Sequence, residues 1–98
     1  MKMQSTLIIA ADHPAFCGHF PAFPVFPGAA LLDEMLKIIE SARGIDLRSW
    51  HVSSVKFLDA VRPRDSLLLE HEAPSPGLIR FTICVADRKI ASGTLHES

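Results

Sequence analysis

Two residues suited to acid–base chemistry and a glycine lie within 15 residues of one another, in the stretch GHFPAFPVFPGAALLD. His19 stands near the start of this stretch, Gly28 closes its proline-rich part, and Asp33 follows five residues after that glycine. An imidazole has an unperturbed pKa of about 6.5, so it can accept a proton near pH 7, and a carboxyl group can donate one. These residue types are those of a proton-transfer site.

Each of these residues also has a plainer interpretation. Taken alone, His19 is more often a loop histidine bonded to backbone, and Gly28 is compatible with an ordinary turn before a helix. At about 100° per residue, Asp33 falls in the polar stripe of the following helix with Lys37 and Glu40, where it would form a solvated i,i+4 pair. The residue types alone leave both interpretations open.

The surrounding pattern predicts the elements that would position these residues. Residues 5–11 are apolar and β-prone, whereas residues 12–27 hold four of the seven prolines and cannot be helical. Residues 29–43 show helical periodicity, with Gly44 as the predicted stop, and their wide apolar stripe predicts a helix buried on most sides. Turn residues separate four further predicted strands: 50–58, 66–73, 78–86 and 89–95. The last three can pair as antiparallel neighbours.

The composition is that of one small domain, residues 1–98, with an apolar excess. The chain is 48% hydrophobic with a mean hydropathy of +0.23. This is high for a short domain and indicates apolar surface buried against a second copy. The formal net charge is -1, from 10 basic and 11 acidic residues. Such a balance gives no electrostatic reason to expect binding to nucleic acid.

Cysteine content and hydropathy indicate the compartment. Two cysteines are too few for a disulfide framework, and no apolar run approaches the roughly 20 residues of a membrane span. We therefore expect a cytoplasmic protein without a membrane segment. Asp12, His13, Cys17 and His19 have residue types that bind zinc, but their spacing matches no closed structural site, so no metal is expected.

The stretch is similar to the active-site signature of a known family. His19-Phe20-Pro21, Pro24-Val25, Pro27-Gly28 and Asp33 resemble, without a gap, the motif of the hotdog-fold β-hydroxyacyl-ACP dehydratases. More weakly, Val55-Lys56-Phe57 with Pro63, Asp65 and Leu67 is similar to the family's strand and turn after the helix, and residues 80–95 to its closing hairpin. The resemblance implies an α+β fold: a single hotdog domain whose antiparallel sheet wraps one long central helix.

The resemblance also implies a reaction. Members of this family remove water from 3-hydroxyacyl thioesters and give trans-2-enoyl thioesters, in fatty acid, polyketide or aryl polyene-type biosynthesis. It implies His19 as the base, Asp33 as the acid, and Gly28 at the helix start as donor to the thioester oxygen. The histidine and the acid would come from different subunits of a homodimer or higher oligomer, or of a heterodimer with a homologue. The substrate would be carried on the phosphopantetheine of an acyl carrier protein, with no further cofactor.

Substrate and carrier contacts follow from the same resemblance. The residues expected to contact substrate flank the base and the glycine: Phe20, Val25, Phe26, Pro27 and Ala29. Acyl carrier proteins are acidic, so Arg62 and Arg64, with Arg43 and Arg48, are candidates for a docking patch.

Two other functions remain open from the sequence. A hotdog thioesterase would use the carboxylate to direct water at the thioester carbonyl. A non-catalytic hotdog subunit would pair with an active homologue. A histidine and an acid at the family spacing favour a dehydratase over a thioesterase. Lys37, where the family often has glutamine, keeps the non-catalytic alternative open.

Overall fold

The computed structural model describes residues 2–8, 28–62 and 64–97. These ranges form five strands, one α-helix and a short 3-10 helix: β1 (Lys2–Ile8), α1 (Gly28–Arg43), the 3-10 turn Leu47–Ser49, β2 (Trp50–Phe57), β3 (Ser66–Ser75), β4 (Leu78–Val85) and β5 (Arg88–Glu97). The strands form one antiparallel sheet in the order β1-β3-β4-β5-β2. The predicted α+β class, with one helix and an antiparallel sheet in a single domain, is confirmed.

The consecutive strands β3, β4 and β5 pair through short turns, as predicted. Both turns lie one or two residues from their predicted positions. β3 continues through Pro74 to Ser75, because the register shifts between Glu72 and Ser75 and such an irregularity tolerates the missing proline N–H. The second turn is Ala86-Asp87, not the predicted Asp87-Arg88, and Ala86 adopts a φ of 54° there.

The first and second strands form the two edges of the sheet. β1 pairs with β3 from Lys2 opposite Glu72 to Ile8 opposite Ser66, so it begins before the predicted residue 5. The predicted residues 9–11 lie outside the described residues. β2 pairs with β5 and ends at Phe57, one residue earlier than predicted.

Helix α1 starts within one residue of its predicted start and ends at the predicted residue. Gly44 stops it, with a φ of 65° and an N–H that donates to the Glu40 carbonyl at 2.8 Å. The helix has 16 residues, and its buried side chains form one stripe, Leu31, Met35 and Ile39. The expectation of a long helix buried on most sides is therefore not confirmed for the single chain.

The core lies between this stripe and one face of the sheet. The buried sheet residues alternate along β3 and β4 and continue onto β5: Leu67, Leu69, Ile79, Phe81, Ile83, Ile90, Ala91 and Leu95. Gly93 lies on the same face, opposite Phe81 and Val55. A Cβ atom on Gly93 would lie 2.7 Å from Phe81 Cζ and would also clash with the Ser54 carbonyl oxygen, so only glycine fits there.

His71 is a polar residue within this core. Its side chain is 1% exposed, and its Nδ1 accepts a hydrogen bond from Arg43 Nε at 2.9 Å. Arg43 Nη2 also donates to the His71 carbonyl at 3.3 Å, while His71 Nε2 has no hydrogen-bond partner within the described part of the chain. Burial, and secondarily the Arg43 charge, lower the pKa of His71. This contact links the C-terminal end of α1 to β3. It requires a neutral imidazole, because a protonated Nδ1 could not accept the hydrogen bond.

We predict that this histidine makes the fold sensitive to acid. Because the pKa of His71 is lowered in the folded state, the unfolded chain binds more protons below the ordinary histidine pKa of about 6.5. The stability from neutral His71 is present above that pH and is lost as the pH falls towards the folded-state pKa. His71→Gln, whose amide oxygen can still accept from Arg43, should flatten the fall in melting temperature between pH 7.5 and pH 5.

The control is His96→Gln, a change at an exposed histidine of β5. It should keep the slope of the unmodified protein. If His71→Gln keeps the full acid-induced fall in melting temperature, buried His71 is not its cause.

Candidate active site

The structure describes part of the predicted site. Gly28, Ala29 and Asp33 lie on α1, and Arg62 and Arg64 lie in the segment between β2 and β3. The remaining predicted residues lie outside the described residues, and their roles stay predictions: His19, Phe20, Val25, Phe26 and Pro27. The same holds for the zinc-type residues Asp12, His13 and Cys17.

Gly28 is the first residue of α1 and lies against Phe57 at the end of β2. A Cβ atom on Gly28 would be 3.0 Å from Phe57 Cζ, closer than ordinary van der Waals contact. The ring of Phe57 is also 45% exposed, so it covers the helix start without being enclosed. A glycine at this position therefore leaves room for an aromatic ring against the start of the helix.

An open cleft of about 500 Å³ lies beside this contact. In the described part of the chain, the cleft is lined by Gly28 and Leu31 from α1 and by the consecutive residues 57–61. Residues 57–61 are here called the cleft wall. Phe57, Leu58 and Val61 make the wall largely apolar. The start of α1, whose first N–H groups have no partner within the helix itself, therefore adjoins a cleft with a largely apolar described wall.

The cleft wall is fixed to β5 by two sets of hydrogen bonds. Leu58 N donates to the Ile90 carbonyl at 2.7 Å, and Asp59 N donates to the same oxygen at 3.3 Å. The Asp59 carboxylate accepts from Ala60 N at 2.8 Å and from Arg88 Nη1 at 2.6 Å. The hydrogen bond from Ala60 N–H, followed by the bond and charge of Arg88, lowers the pKa of Asp59. Asp59 is therefore an ionised residue that shapes the turn.

Sequence analysis did not identify Asp59 and Arg88. The two residues lie 29 positions apart on different elements. No periodicity links them, and the aspartate looks like an ordinary turn residue. They become neighbours only because β2 pairs with β5.

Asp33 lies on the opposite side of α1 from the cleft. It is two residues after Leu31, which corresponds to about 200° around the helix. Its side chain is 66% exposed, and its Oδ2 is 3.2 Å from Lys37 Nζ. The hydrogen bond and charge of Asp33, with a further contribution from Glu34, raise the pKa of Lys37. Within one chain, therefore, Asp33 does not reach the cleft that Gly28 lines.

The four candidate docking arginines have different settings. Arg43 is engaged with His71, and Arg48 Nη2 is 2.7 Å from Asp46 Oδ2. Arg62 and Arg64 are exposed in a tight turn in which Arg62 N donates to Asp65 Oδ2 at 2.9 Å. This turn directly follows the cleft wall in the sequence.

Two further expectations concern metals and membranes. In residues 2–8, 28–62 and 64–97, no cluster of three or more histidine, cysteine, aspartate or glutamate side chains could hold a metal ion. Among the helices of the same ranges, none is long and apolar enough to cross a membrane.

The architecture matches that of known hotdog proteins. The dehydratase heterocomplex ApeI:P from Xenorhabdus doucetiae superposes with a TM-score of 0.77 and 25% identity, over 97% of this chain and 85% of that chain. The fluoroacetyl-CoA-specific thioesterase FlK, at 13% identity, superposes with a TM-score of 0.67 over 97% of this chain and 88% of that chain, which shows the shared fold alone. The protein thus has the hotdog fold.

Sequence comparison shows which hotdog family this is. The model of the ApeI-like family, described as ApeI dehydratase, matches residues 1–94, and the chain belongs to this family. The chain is also similar to the 3-hydroxyacyl-[acyl-carrier-protein] dehydratase FabZ of two bacteria. That of Chlamydia caviae is 29% identical over 100 residues, covering 89% of this chain and 65% of the relative. That of Lawsonia intracellularis is 34% identical over 74 residues, covering 65% and 48%.

The chain therefore spans between about half and two thirds of the length of these curated relatives. The resemblance to hotdog-fold dehydratases, based on the segment from His19 to Asp33, is confirmed at the level of the family.

We predict that Gly28 and Phe57 are energetically coupled. An alanine normally stabilises a helix by up to about 1 kcal/mol relative to glycine. At position 28 the added methyl group meets the Phe57 ring, so Gly28→Ala should destabilise the protein. Once Phe57→Ala has removed the ring, the same change should be neutral or stabilising. Urea unfolding of both single variants and the double variant should give a coupling of about 0.5 to 3 kcal/mol.

The matched control replaces Val52, another exposed apolar residue of β2; the atoms nearest to a Cβ on Gly28 belong to Phe57 and not to Val52. Gly28→Ala and Val52→Ala should be additive. Additivity of Gly28→Ala with Phe57→Ala as well would show that the ring does not constrain position 28.

Proposed function

We propose that this chain is a 3-hydroxyacyl-[acyl-carrier-protein] dehydratase, a lyase that converts 3-hydroxyacyl thioesters into trans-2-enoyl thioesters. The proposal combines membership of the ApeI-like dehydratase family with the position of Gly28 at the start of α1, beside an apolar cleft. The biosynthetic setting would be that of fatty acids, polyketides or aryl polyene-type products. The substrate would arrive on phosphopantetheine, and the reaction would require no further cofactor.

The observation that carries the mechanism is the placement of Gly28 and Asp33 on opposite sides of one helix. Gly28 lies at the cleft, whereas the Asp33 carboxylate is exposed on the far side of α1. A carboxylate in that position can act only in the cleft of another subunit. This geometry supports a site shared between two chains, with the base from one and the acid from the other.

The proposed chemistry distributes three tasks. His19 takes the proton from C2 of the acyl group, and the N–H groups at the start of α1 stabilise the negative charge that develops on the thioester oxygen. Asp33 of the second chain gives its proton to the 3-hydroxyl group as the C3–O bond breaks and water leaves. The proton taken by His19 is then returned to the acid through solvent.

Features of β2 support association with a second chain. β2 is an edge strand, since in the described part of the chain it pairs only with β5. Val52, Phe57 and Leu58, on or just after this strand, are exposed apolar side chains. Unpaired strand backbone and exposed apolar area are both features that a second subunit can cover. We propose a homodimer, or a heterodimer with a homologue, as the working assembly.

Carrier docking is proposed at Arg62 and Arg64. Both are exposed in the turn that follows the cleft wall. A positively charged turn beside the cleft can hold an acidic carrier domain while its phosphopantetheine arm enters. Arg43 and Arg48 are less suited, because each already has a partner within its own chain.

One observation favours a second candidate, a non-catalytic subunit that pairs with an active homologue. Asp33 is ion-paired with Lys37 and surrounded by solvent in the single chain, as expected for an ordinary surface pair. The structural neighbour ApeI:P is a heterocomplex. An exposed pair of this kind is weak, so a second subunit could displace it.

We predict that substitution of the proposed base or acid lowers turnover strongly, whereas substitution of a neighbouring residue does not. The assay incubates the protein with 3-hydroxyacyl and 2-enoyl thioesters on a carrier protein and measures interconversion by mass. His19→Ala and Asp33→Asn should each lower turnover by about 100- to 10,000-fold with little change in melting temperature. Lys37→Gln should retain or modestly raise turnover, because it removes the partner that holds Asp33 in solvent.

The matched controls are His13→Ala in the same segment and Glu34→Gln beside the acid. Both should retain most of the activity. Absence of interconversion by the unmodified protein would favour the non-catalytic subunit. Equal turnover of the Asp33→Asn and Glu34→Gln variants would remove Asp33 from the mechanism.

A further inference from the structure

Two histidines face each other on the outer side of the sheet. His51 of β2 and His96 of β5 are directly opposite in the register, and both are exposed. Their ring centroids are 6.0 Å apart and their planes differ by 21°. The next residues along the strands, Val52 and Leu95, are also register partners, and Leu95 is in the core. Side chains alternate along a strand, so the histidine pair points away from α1 and from the cleft.

Both imidazoles are available as ligands. Neither ring makes a hydrogen bond within the described part of the chain. The neighbouring polar pair on this face, Ser53 and Thr94, is satisfied internally by a contact of 2.9 Å between their hydroxyl oxygens. Both rings are exposed, and within residues 2–8, 28–62 and 64–97 no protein group competes for their ring nitrogens.

The geometry of the pair suits a single metal ion. Directly opposed residues of antiparallel strands have Cβ atoms about 4.5 to 5.5 Å apart. Two imidazole nitrogens bound to one ion at about 2.1 Å lie about 3 to 3.4 Å apart in tetrahedral or square geometry. Exposed rings 6.0 Å apart can reach that separation by rotation about their side-chain torsions, without movement of the strands. Imidazole is a preferred ligand of zinc, copper and nickel.

We infer that His51 and His96 form a surface site for a divalent transition-metal ion of the zinc, nickel or copper class, completed by water. A third protein ligand is not available in the described residues, so the site is a two-histidine chelate. The bound ion links the edge strand β2 to β5, next to the register shift between Val52 and Ser54. It is separate from the proposed dehydratase chemistry and does not depend on it.

The test uses the full chain without an affinity tag, titrated with Zn²⁺ by calorimetry at pH 7.5 and melted with and without Zn²⁺. One equivalent per chain should bind, and the melting temperature should rise because the unfolded chain lacks the paired ligands. His51→Ala and His96→Ala should each weaken binding by at least about tenfold, since either change turns a chelate into a single ligand. Both variants should fold, because both side chains are exposed.

The controls are His13→Ala and Cys17→Ser, which remove zinc-type residues of the segment that precedes α1. Binding that survives these changes but is lost with either His51 or His96 supports the site. Three outcomes overturn it: no binding by the unmodified protein, unchanged binding after loss of either sheet histidine, or loss of the Zn²⁺ equivalent only with His13 or Cys17.

Discussion

The packing of one helical stripe against the sheet determines how the rest of the molecule can work. Leu31, Met35 and Ile39 are buried at intervals of four residues, which fixes the rotation of α1 about its axis. With that rotation set, Gly28 faces the cleft and Asp33 faces solvent. A sequence motif that places the two residues five positions apart therefore places them in different environments. In the proposed mechanism, a second subunit brings the acid to each cleft.

The cleft depends on contacts that a motif does not reveal. Residues 57–61 are anchored to β5 by two hydrogen bonds to the Ile90 carbonyl and by the Asp59–Arg88 ion pair. Phe57 then lies against the start of α1, where a Cβ atom on residue 28 would come within 3.0 Å of its ring. Because the wall is held by backbone bonds on one side and by an aromatic contact on the other, we expect its shape to change little when substrate enters.

Local chemistry allowed much of the fold to be predicted, and non-local contacts account for most of what was missed. Helical periodicity and Gly44 gave the limits of α1 to within one residue. Turn residues located the three consecutive strands, but Pro74, a predicted break, lies within β3. The bond from Arg43 to His71 spans 28 residues, so it could not be inferred from spacing. For the site, sequence identified the family and placed Gly28 and Asp33 on one helix, whereas the exposure of Asp33 required the structure.

The central claim is that one cleft uses residues from two chains. The most direct test co-expresses His19→Ala and Asp33→Asn chains with different affinity tags and isolates the mixed dimer through both tags. Each parent dimer lacks a component of both sites, whereas the mixed dimer has one intact site and one site lacking both residues. The account predicts about half of the unmodified turnover per mixed dimer. A mixed dimer as inactive as its parents would contradict the shared site.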